Sequence, residues 1–196
     1  MPDSALLQDG VRVLTRTMQR ASAALGDPPA GLRNRLRSVT RRVLIIGYEA
    51  RSPKTRDAMV KSYRTLMATT RAVLRDAATM VRRLCQRTRT ASPQVRTTLQ
   101  RAQDGLAAMR PLVQQVVDQT RARVLGGDTH VPGKVLSLFE RHTVTIRKGK
   151  IAKPNEFGNL VTIQEAEHQI VTAFEFMRDG RQPVTWFSFA SSDHPW

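Results

Sequence analysis

The longest apolar repeat in the chain runs from residue 53 to residue 90 and contains no glycine and, after Pro53, no proline. Its positions recur about every 3.5 residues, close to one turn of an α-helix. They are Met59, Tyr63, Leu66, Thr70, Val73, Ala77, Met80 and Leu84. Because a helix of this length must bury its apolar stripe against another element, the repeat predicts a long antiparallel hairpin or a coiled coil.

Three other segments also space their apolar residues as helices do. They cover residues 4–25, 32–50 and 93–125. A serine-proline pair at 92–93 is typical of a helix start, and Gly126 is typical of a helix end. We therefore predict four helices in the first two thirds of the chain.

The pattern changes after Gly126, where short β-branched and aromatic runs with partial alternation predict strands. These runs are Lys134–Phe139, Thr143–Arg147, Leu160–Gln164, Gln169–Phe176 and Pro183–Phe189. No helical pattern follows them, so their sheet is either covered by the earlier helices or belongs to an incomplete domain. The predicted fold class is α+β, mainly α, with a basic helical region at 1–128 and a partial β region at 129–196.

Charge is distributed unevenly between these two regions. The whole chain has a formal net charge of +16, and residues 1–128 contain 24 Lys and Arg against 9 Asp and Glu. Residues 129–196 contain 8 against 7. An excess of this size indicates a polyanionic partner, most often nucleic acid and less often an acidic membrane surface. We interpret the helical arginines as solubilising faces that also give non-specific, salt-dependent affinity for nucleic acid. They include Arg33, Arg37, Arg41, Arg82, Arg83, Arg87 and Arg89.

Several classes of protein are disfavoured by what the sequence lacks. No stretch has the roughly 20 apolar residues that a membrane span needs, and the first residues do not resemble a signal peptide. The single cysteine, Cys85, cannot build a disulfide framework or a cysteine zinc site. We expect a cytoplasmic protein without a membrane partner.

One short segment concentrates positive charge between two strand-like runs. Arg147, Lys148, Lys150 and Lys153 fall within seven residues, in a segment interrupted by Gly149. Strands hold the ends of such a loop while glycine lets its main chain approach an anion, so we predict that these four cations contact a DNA backbone. The alternative is an ordinary solvated turn.

We interpret the acidic residues nearby as parts of turns rather than as metal ligands. Asn155–Gly158 is interpreted as a turn into the next strand, which makes Glu156 a poor metal ligand. Glu165 and Glu167 are close enough in sequence to hold a cation together, although a polar hairpin tip explains them as well. The four histidines lack the spacing of a metal site.

Several short motifs in the sequence resemble those of bacterial insertion-sequence transposases of the DDE type, in the ISNCY-like branch. They are Lys134–Thr143 (KVLSLFERHT), Ile146–Lys150 (IRKGK), Lys153–Gly158 (KPNEFG), Val161–Glu167 (VTIQEAE) and, upstream, Asp3–Thr17. Their order and spacing make the likeness fairly specific, and it covers most of residues 3–176. The resemblance implies an RNase H-like sheet with three carboxylates that bind two Mg²⁺ ions for phosphodiester attack. It also implies a long helical insertion, similar to residues 4–125.

The resemblance does not supply the catalytic carboxylates. The first would precede Asp3 and the others would follow residue 176, where Asp179 and Asp193 stand in a tail that departs from the family. Asp3 resembles a non-catalytic aspartate at a loop-to-helix junction. We therefore expect a transposase fragment, truncated at both ends, that binds DNA, has no metal site of its own and is inactive alone.

Two other functions remain open from the sequence. The basic helices are also compatible with a non-enzymatic nucleic-acid-binding or dimerising module that regulates transposition. The expected partners are the DNA ends of the insertion sequence and, for the dimerising module, a second copy or a full-length transposase. A third possibility is a pseudogene product with no retained role.

Overall fold

A computed structural model describes residues 3–27, 32–140, 144–147, 155–158, 160–166, 170–178 and 182–188. The chain divides into two compact units, Met1–Leu138 and Phe139–Trp196. The first unit contains the helices and the second contains the strands. This division lies C-terminal to the predicted boundary at 128/129, because residues 129–138 pack with the helices.

The helical unit consists of four α-helices in the part of the chain that is described. They are α1 (Asp3–Ala24), α2 (Leu36–Glu49), α3 (Arg56–Thr88) and α4 (Pro93–Gly126). The predicted mainly helical architecture is therefore confirmed. One boundary differs from the prediction, because α2 begins at Leu36 rather than at Leu32. The Asn34 side chain accepts the Leu36 N–H at 3.0 Å, which favours a turn before the helix.

Local capping explains where the long helices begin and end. A 3₁₀ turn, Pro53–Thr55, precedes α3, and the Ser52 hydroxyl accepts the Lys54 N–H at 3.3 Å. At the other end of the unit, Gly127 adopts a left-handed conformation with φ of 73°, and its N–H binds the Ala122 carbonyl. A residue with a Cβ is strained in this conformation, so glycine ends α4 at low cost.

α3 and α4 form the predicted antiparallel hairpin, and α1 packs against both of them. The apolar repeat of α3 faces the core of the same chain. Its buried members include Tyr63, Leu66, Val73, Ala77, Met80 and Leu84. Pairing with a second chain is therefore not needed to cover this stripe.

The strand unit contains two small antiparallel sheets. β1 (Val144–Arg147) pairs with β2 (Asn155–Gly158), and their register places Val144 opposite Gly158. The second sheet has the order β3-β4-β5, formed by Leu160–Ala166, Ile170–Arg178 and Gln182–Ser188. The side chains of Val161 and Ile163 on β3 are 41% and 58% exposed.

Two secondary-structure predictions are wrong. The segment Lys134–Phe139 is not a strand, and the main chain of Val135 within it binds a side chain of α4 instead of another strand. Gln119 accepts the Val135 N–H at 2.9 Å and donates to the Val135 carbonyl at 3.1 Å. In addition, Asn155–Gly158, interpreted as a turn, is the strand β2. Its main chain finds a ladder partner in β1, which outweighs the low strand preference of asparagine and glycine.

The same glutamine contacts explain why the helical unit extends to Leu138. Gln115, one turn before Gln119, donates to the Gly133 carbonyl at 2.6 Å. Leu138 is only 4% exposed and belongs to the helical core. Residues 129–138 therefore pack with the helices, although their composition suggested the β region.

Candidate nucleic-acid interface

The outer face of α3 carries a continuous row of cations, which we call the α3 basic stripe. Its members follow one another at intervals of three, seven, four, seven and seven residues: Lys61, Arg64, Arg71, Arg75, Arg82 and Arg89. At 100° per residue these positions fall within a sector of about 80°. The sector lies opposite the buried face of the helix. The uncharged residues Ala68, Thr79 and Gln86 occupy the remaining positions of the sector between Lys61 and Arg89.

The stripe is accessible, and its charges are not neutralised by the carboxylates that the structure describes. Arg71 is half-buried and the other five members are exposed. Ion pairs within the described residues join Arg12 to Asp9, Arg35 to Asp76, Arg83 to Asp27 and Arg123 to Asp3. None of these four arginines belongs to the stripe. Arg82 donates only to the Thr79 hydroxyl, at 3.2 Å, which leaves its charge available.

A groove between α3 and α4 adds a third cation to two members of the stripe. Arg64 and Arg71 of α3 and Arg121 of α4 line this groove, whose volume is about 520 Å³. Its carboxylate, Asp118, accepts hydrogen bonds from the Gln114 amide at 3.1 Å to both oxygens. Asp118 keeps its charge, but none of the ion pairs among the described residues joins it to these arginines, and three guanidinium groups against one carboxylate leave the groove positively charged.

The dimensions and chemistry of the stripe suit a phosphate backbone. From Lys61 to Arg82 the helix rises about 32 Å, close to the length of one turn of B-DNA, about 34 Å. Arginine presents a planar fork of donors that binds phosphate oxygens in pairs. A row of this length therefore allows several phosphates of one duplex turn to be contacted together.

Of the four cations predicted from the sequence, one lies within the described residues. Arg147 is the last residue of β1 and is paired in register with Asn155, the first residue of β2. Lys148, Lys150 and Lys153 lie outside the described residues. The strand before this segment, β1, was predicted, whereas the strand directly after it, β2, was interpreted as a turn. The contact of the segment with DNA remains a prediction.

From the sequence alone, the α3 arginines were interpreted as solubilising charges with non-specific affinity for nucleic acid and were not recognised as one row. The signal for the stripe was present in the spacing of Arg75, Arg82 and Arg89 by seven residues. The recurrence of cations on the face opposite the apolar repeat was therefore readable from the sequence. The contribution of Arg121 was not, because it depends on how α4 lies beside α3.

The aspartate singled out at the start of α1 has a structural position. Asp3 is 1% exposed, and its carboxylate lies 2.7 Å from the Arg123 guanidinium. The Gln119 amide, which also binds Val135, lies 3.4 Å from the other carboxylate oxygen. This network joins the start of α1, the end of α4 and residues 133–135, so the role of Asp3 is to hold the helical unit together.

Within the described ranges, no three His, Cys, Asp or Glu side chains gather closely enough to hold a metal ion. Glu156 lies in β2 and Glu165 in β3, whereas Glu167 is outside the described residues. Among the helices described, none has both the length and the apolar character of a membrane span.

No protein-family model, curated protein or solved structure matches this chain.

Proposed function

We propose that this protein binds DNA through the α3 basic stripe, as the DNA-binding region of a DDE-type transposase. The observation that carries the proposal is the row of six cations on one exposed helix face, without an intervening acidic residue. Contacts of this kind position a protein on the duplex without reading its sequence. They release counterions from the phosphates, so the affinity falls as salt is raised.

The link to transposition is supported by the transposase-like motifs between Lys134 and Glu167 and by the order of helices followed by strands. On this proposal the strand unit is part of an RNase H-like core, and the complete enzyme uses two Mg²⁺ ions. Arg147, Lys148, Lys150 and Lys153 then form a second contact with the DNA ends of the insertion sequence.

The alternative of a dimerising module is less well supported. It rested on the positive charge of residues 1–128 and on the apolar repeat at residues 53–90, and that repeat packs inside the helical unit. The face of α3 that remains exposed is cationic, which suits a polyanion better than a second copy of the same basic chain.

Neutralising part of the stripe is expected to weaken DNA binding. In the variant Arg64→Gln, Arg75→Gln, Arg82→Gln we expect duplex affinity at about 100 mM salt to fall by about 10- to 100-fold. The dependence of log K on log salt should become shallower by about 2.7, because three phosphate contacts are lost. Fluorescence anisotropy with a labelled duplex of arbitrary sequence measures both quantities.

A control with the same net charge separates a binding site from a diffuse positive charge. The variant Arg16→Gln, Arg20→Gln, Arg101→Gln removes three exposed arginines from α1 and α4. We expect it to lose less than about 3-fold in affinity, since it leaves the stripe intact. Equal losses in the two variants would show that the stripe is not the site. A stronger affinity for insertion-sequence ends that persists at about 200 mM salt would indicate sequence-specific contacts in addition.

The chain is proposed to be inactive in DNA cleavage without further carboxylates. Supercoiled plasmid incubated with the purified protein and Mg²⁺ or Mn²⁺ should remain uncut, because a two-metal mechanism needs its full set of ligands. Nicking that requires the metal and disappears with a chelator would contradict this.

A further inference from the structure

A second exposed face, on α2, combines positive charge with apolar side chains. On the helix its members follow at intervals of four and three residues: Arg37, Arg41, Leu44 and Tyr48; Arg51 adds a cation in the turn after α2, which ends at Glu49. We call this set the α2 arginine-tyrosine face. The three arginines are exposed, and Leu44 and Tyr48 are 70% and 71% exposed. The opposite side of α2 buries Val39 and Ile46 in the helical core.

Apolar side chains this exposed are not explained by packing within the described chain. None of Arg37, Arg41 and Arg51 takes part in the ion pairs that the described residues form. The face therefore presents an aromatic ring and an aliphatic side chain among cations that no described carboxylate neutralises.

Gly47, beside Leu44 and Tyr48 on the helix, is a second unusual feature of this region. A Cβ built at Gly47 meets no atom within 4 Å, so no close approach inside the chain requires glycine. Glycine in a helix interior is about 1 kcal/mol less favourable than alanine. The absence of a side chain at Gly47 leaves one flank of Leu44 and Tyr48 open to a closely approaching partner.

We infer that the α2 arginine-tyrosine face binds single-stranded nucleic acid, with the Tyr48 ring stacked on an unpaired base. Proteins that bind single strands combine cations along the backbone with aromatic rings on which bases stack. Arg41, two turns before Tyr48 on the same helix face, is placed to contact the phosphates next to that base, and Arg51 adds a cation in the turn just after α2. Leu44, one turn before Tyr48, extends the apolar surface on which the base rests.

Charge and geometry favour this occupant over others. A second copy of the chain, seated on the same face by twofold symmetry, would bring arginine against arginine. A duplex keeps its bases stacked inside, where Tyr48 cannot reach their faces. This inference rests on the proposed nucleic-acid binding and extends it from duplex to single-stranded substrate.

The test compares Tyr48→Ala with Tyr48→Phe in the full-length chain. Binding is measured by fluorescence anisotropy to a labelled single strand of about 12 nucleotides, within the range of sites that stacking proteins cover, and to a duplex of the same length. We expect Tyr48→Ala to lose about 5- to 100-fold in single-strand affinity and less than about 2-fold in duplex affinity. Tyr48→Phe should retain single-strand affinity, because the ring rather than the hydroxyl makes the contact.

The outcomes separate this inference from the proposed function. Unchanged single-strand affinity in Tyr48→Ala, with duplex affinity still lowered by the α3 stripe variant, would overturn the inference alone. Failure of the wild-type chain to bind either DNA would overturn both. If Tyr48→Ala instead changes the sedimentation of the protein from dimer to monomer, the face is a self-association surface and the inference is wrong.

Discussion

Replacing Asp3 with alanine is expected to lower the free energy of unfolding by about 2–4 kcal/mol. The carboxylate is 1% exposed and lies 2.7 Å from Arg123. Its removal leaves that guanidinium, only 32% exposed, without its charged partner. It also removes a neighbour of the Gln119 amide, which holds the main chain at Val135. Urea unfolding followed by circular dichroism measures the change.

An exposed ion pair on the same helix provides the control. Asp9 and Arg12 lie 2.6 Å apart, with side chains that are 23% and 45% exposed. Asp9→Ala should cost less than about 1 kcal/mol, because solvent screens such a pair. Similar losses for Asp3→Ala and Asp9→Ala would contradict the role assigned to Asp3.

A double-mutant cycle isolates the interaction between Asp3 and Arg123. Arg123→Met keeps much of the aliphatic stem and removes the charge, which leaves Asp3 buried without its partner. The loss of stability in the double variant Asp3→Ala, Arg123→Met should be smaller than the sum of the two single losses. We expect this difference, the coupling energy, to be about 1–3 kcal/mol. Additive effects would show that the two residues act independently.

The second large effect is expected at Gly10, where α1 lies tightly against Val113 of α4. A Cβ added at Gly10 would lie 2.6 Å from Val113 Cγ2 and 3.0 Å from Val113 Cγ1. Val113 is fully buried and β-branched, so its side chain has little freedom to move away. We expect Gly10→Ala to destabilise the protein by about 1–3 kcal/mol, because overpacking exceeds the gain in helix propensity.

Gly105 provides a matched control on α4. A Cβ there meets only Thr17 Cγ2, at 3.9 Å, which is an ordinary contact. Gly105→Ala should therefore stabilise the protein by about 0.5–1 kcal/mol through helix propensity alone. Thermal unfolding of both variants measures the opposite signs, and stabilisation by Gly10→Ala would contradict the proposed close approach. Val113→Ala should relieve the overpacking in Gly10→Ala. It should therefore lower the free energy of unfolding by less in the Gly10→Ala variant than it does in the unchanged chain.

The helical half of the fold was predictable because its signals are local. The apolar period of α3, the serine-proline start of α4 and the glycine at its end each act within a few residues of chain. The same information predicted an antiparallel hairpin or a coiled coil, and the structure shows the hairpin. A long apolar stripe and a short connection to a second helix leave few other ways to bury the core.

The errors fell where long-range hydrogen bonds decide the structure. Lys134–Phe139 has a strand-like composition, yet the main chain of Val135 binds the Gln119 side chain of α4, which the sequence of the segment does not reveal. Asn155–Gly158 reads as a turn, yet pairing with β1 makes it a strand. A segment's backbone groups bind whatever donors and acceptors the fold brings near, and propensity is then a minor term.

The candidate site divides along the same line. By itself, the sequence determined the basic character of the helical region and the seven-residue spacing of the α3 basic stripe. It also determined the apolar face opposite that stripe, because charge and helical periodicity are properties of the residue order. Only the tertiary structure decided that Arg121 joins Arg64 and Arg71 around one groove and that Asp3 is a buried structural partner of Arg123. It also decided that Tyr48 remains exposed among arginines, because accessibility depends on packing between helices that are distant in sequence.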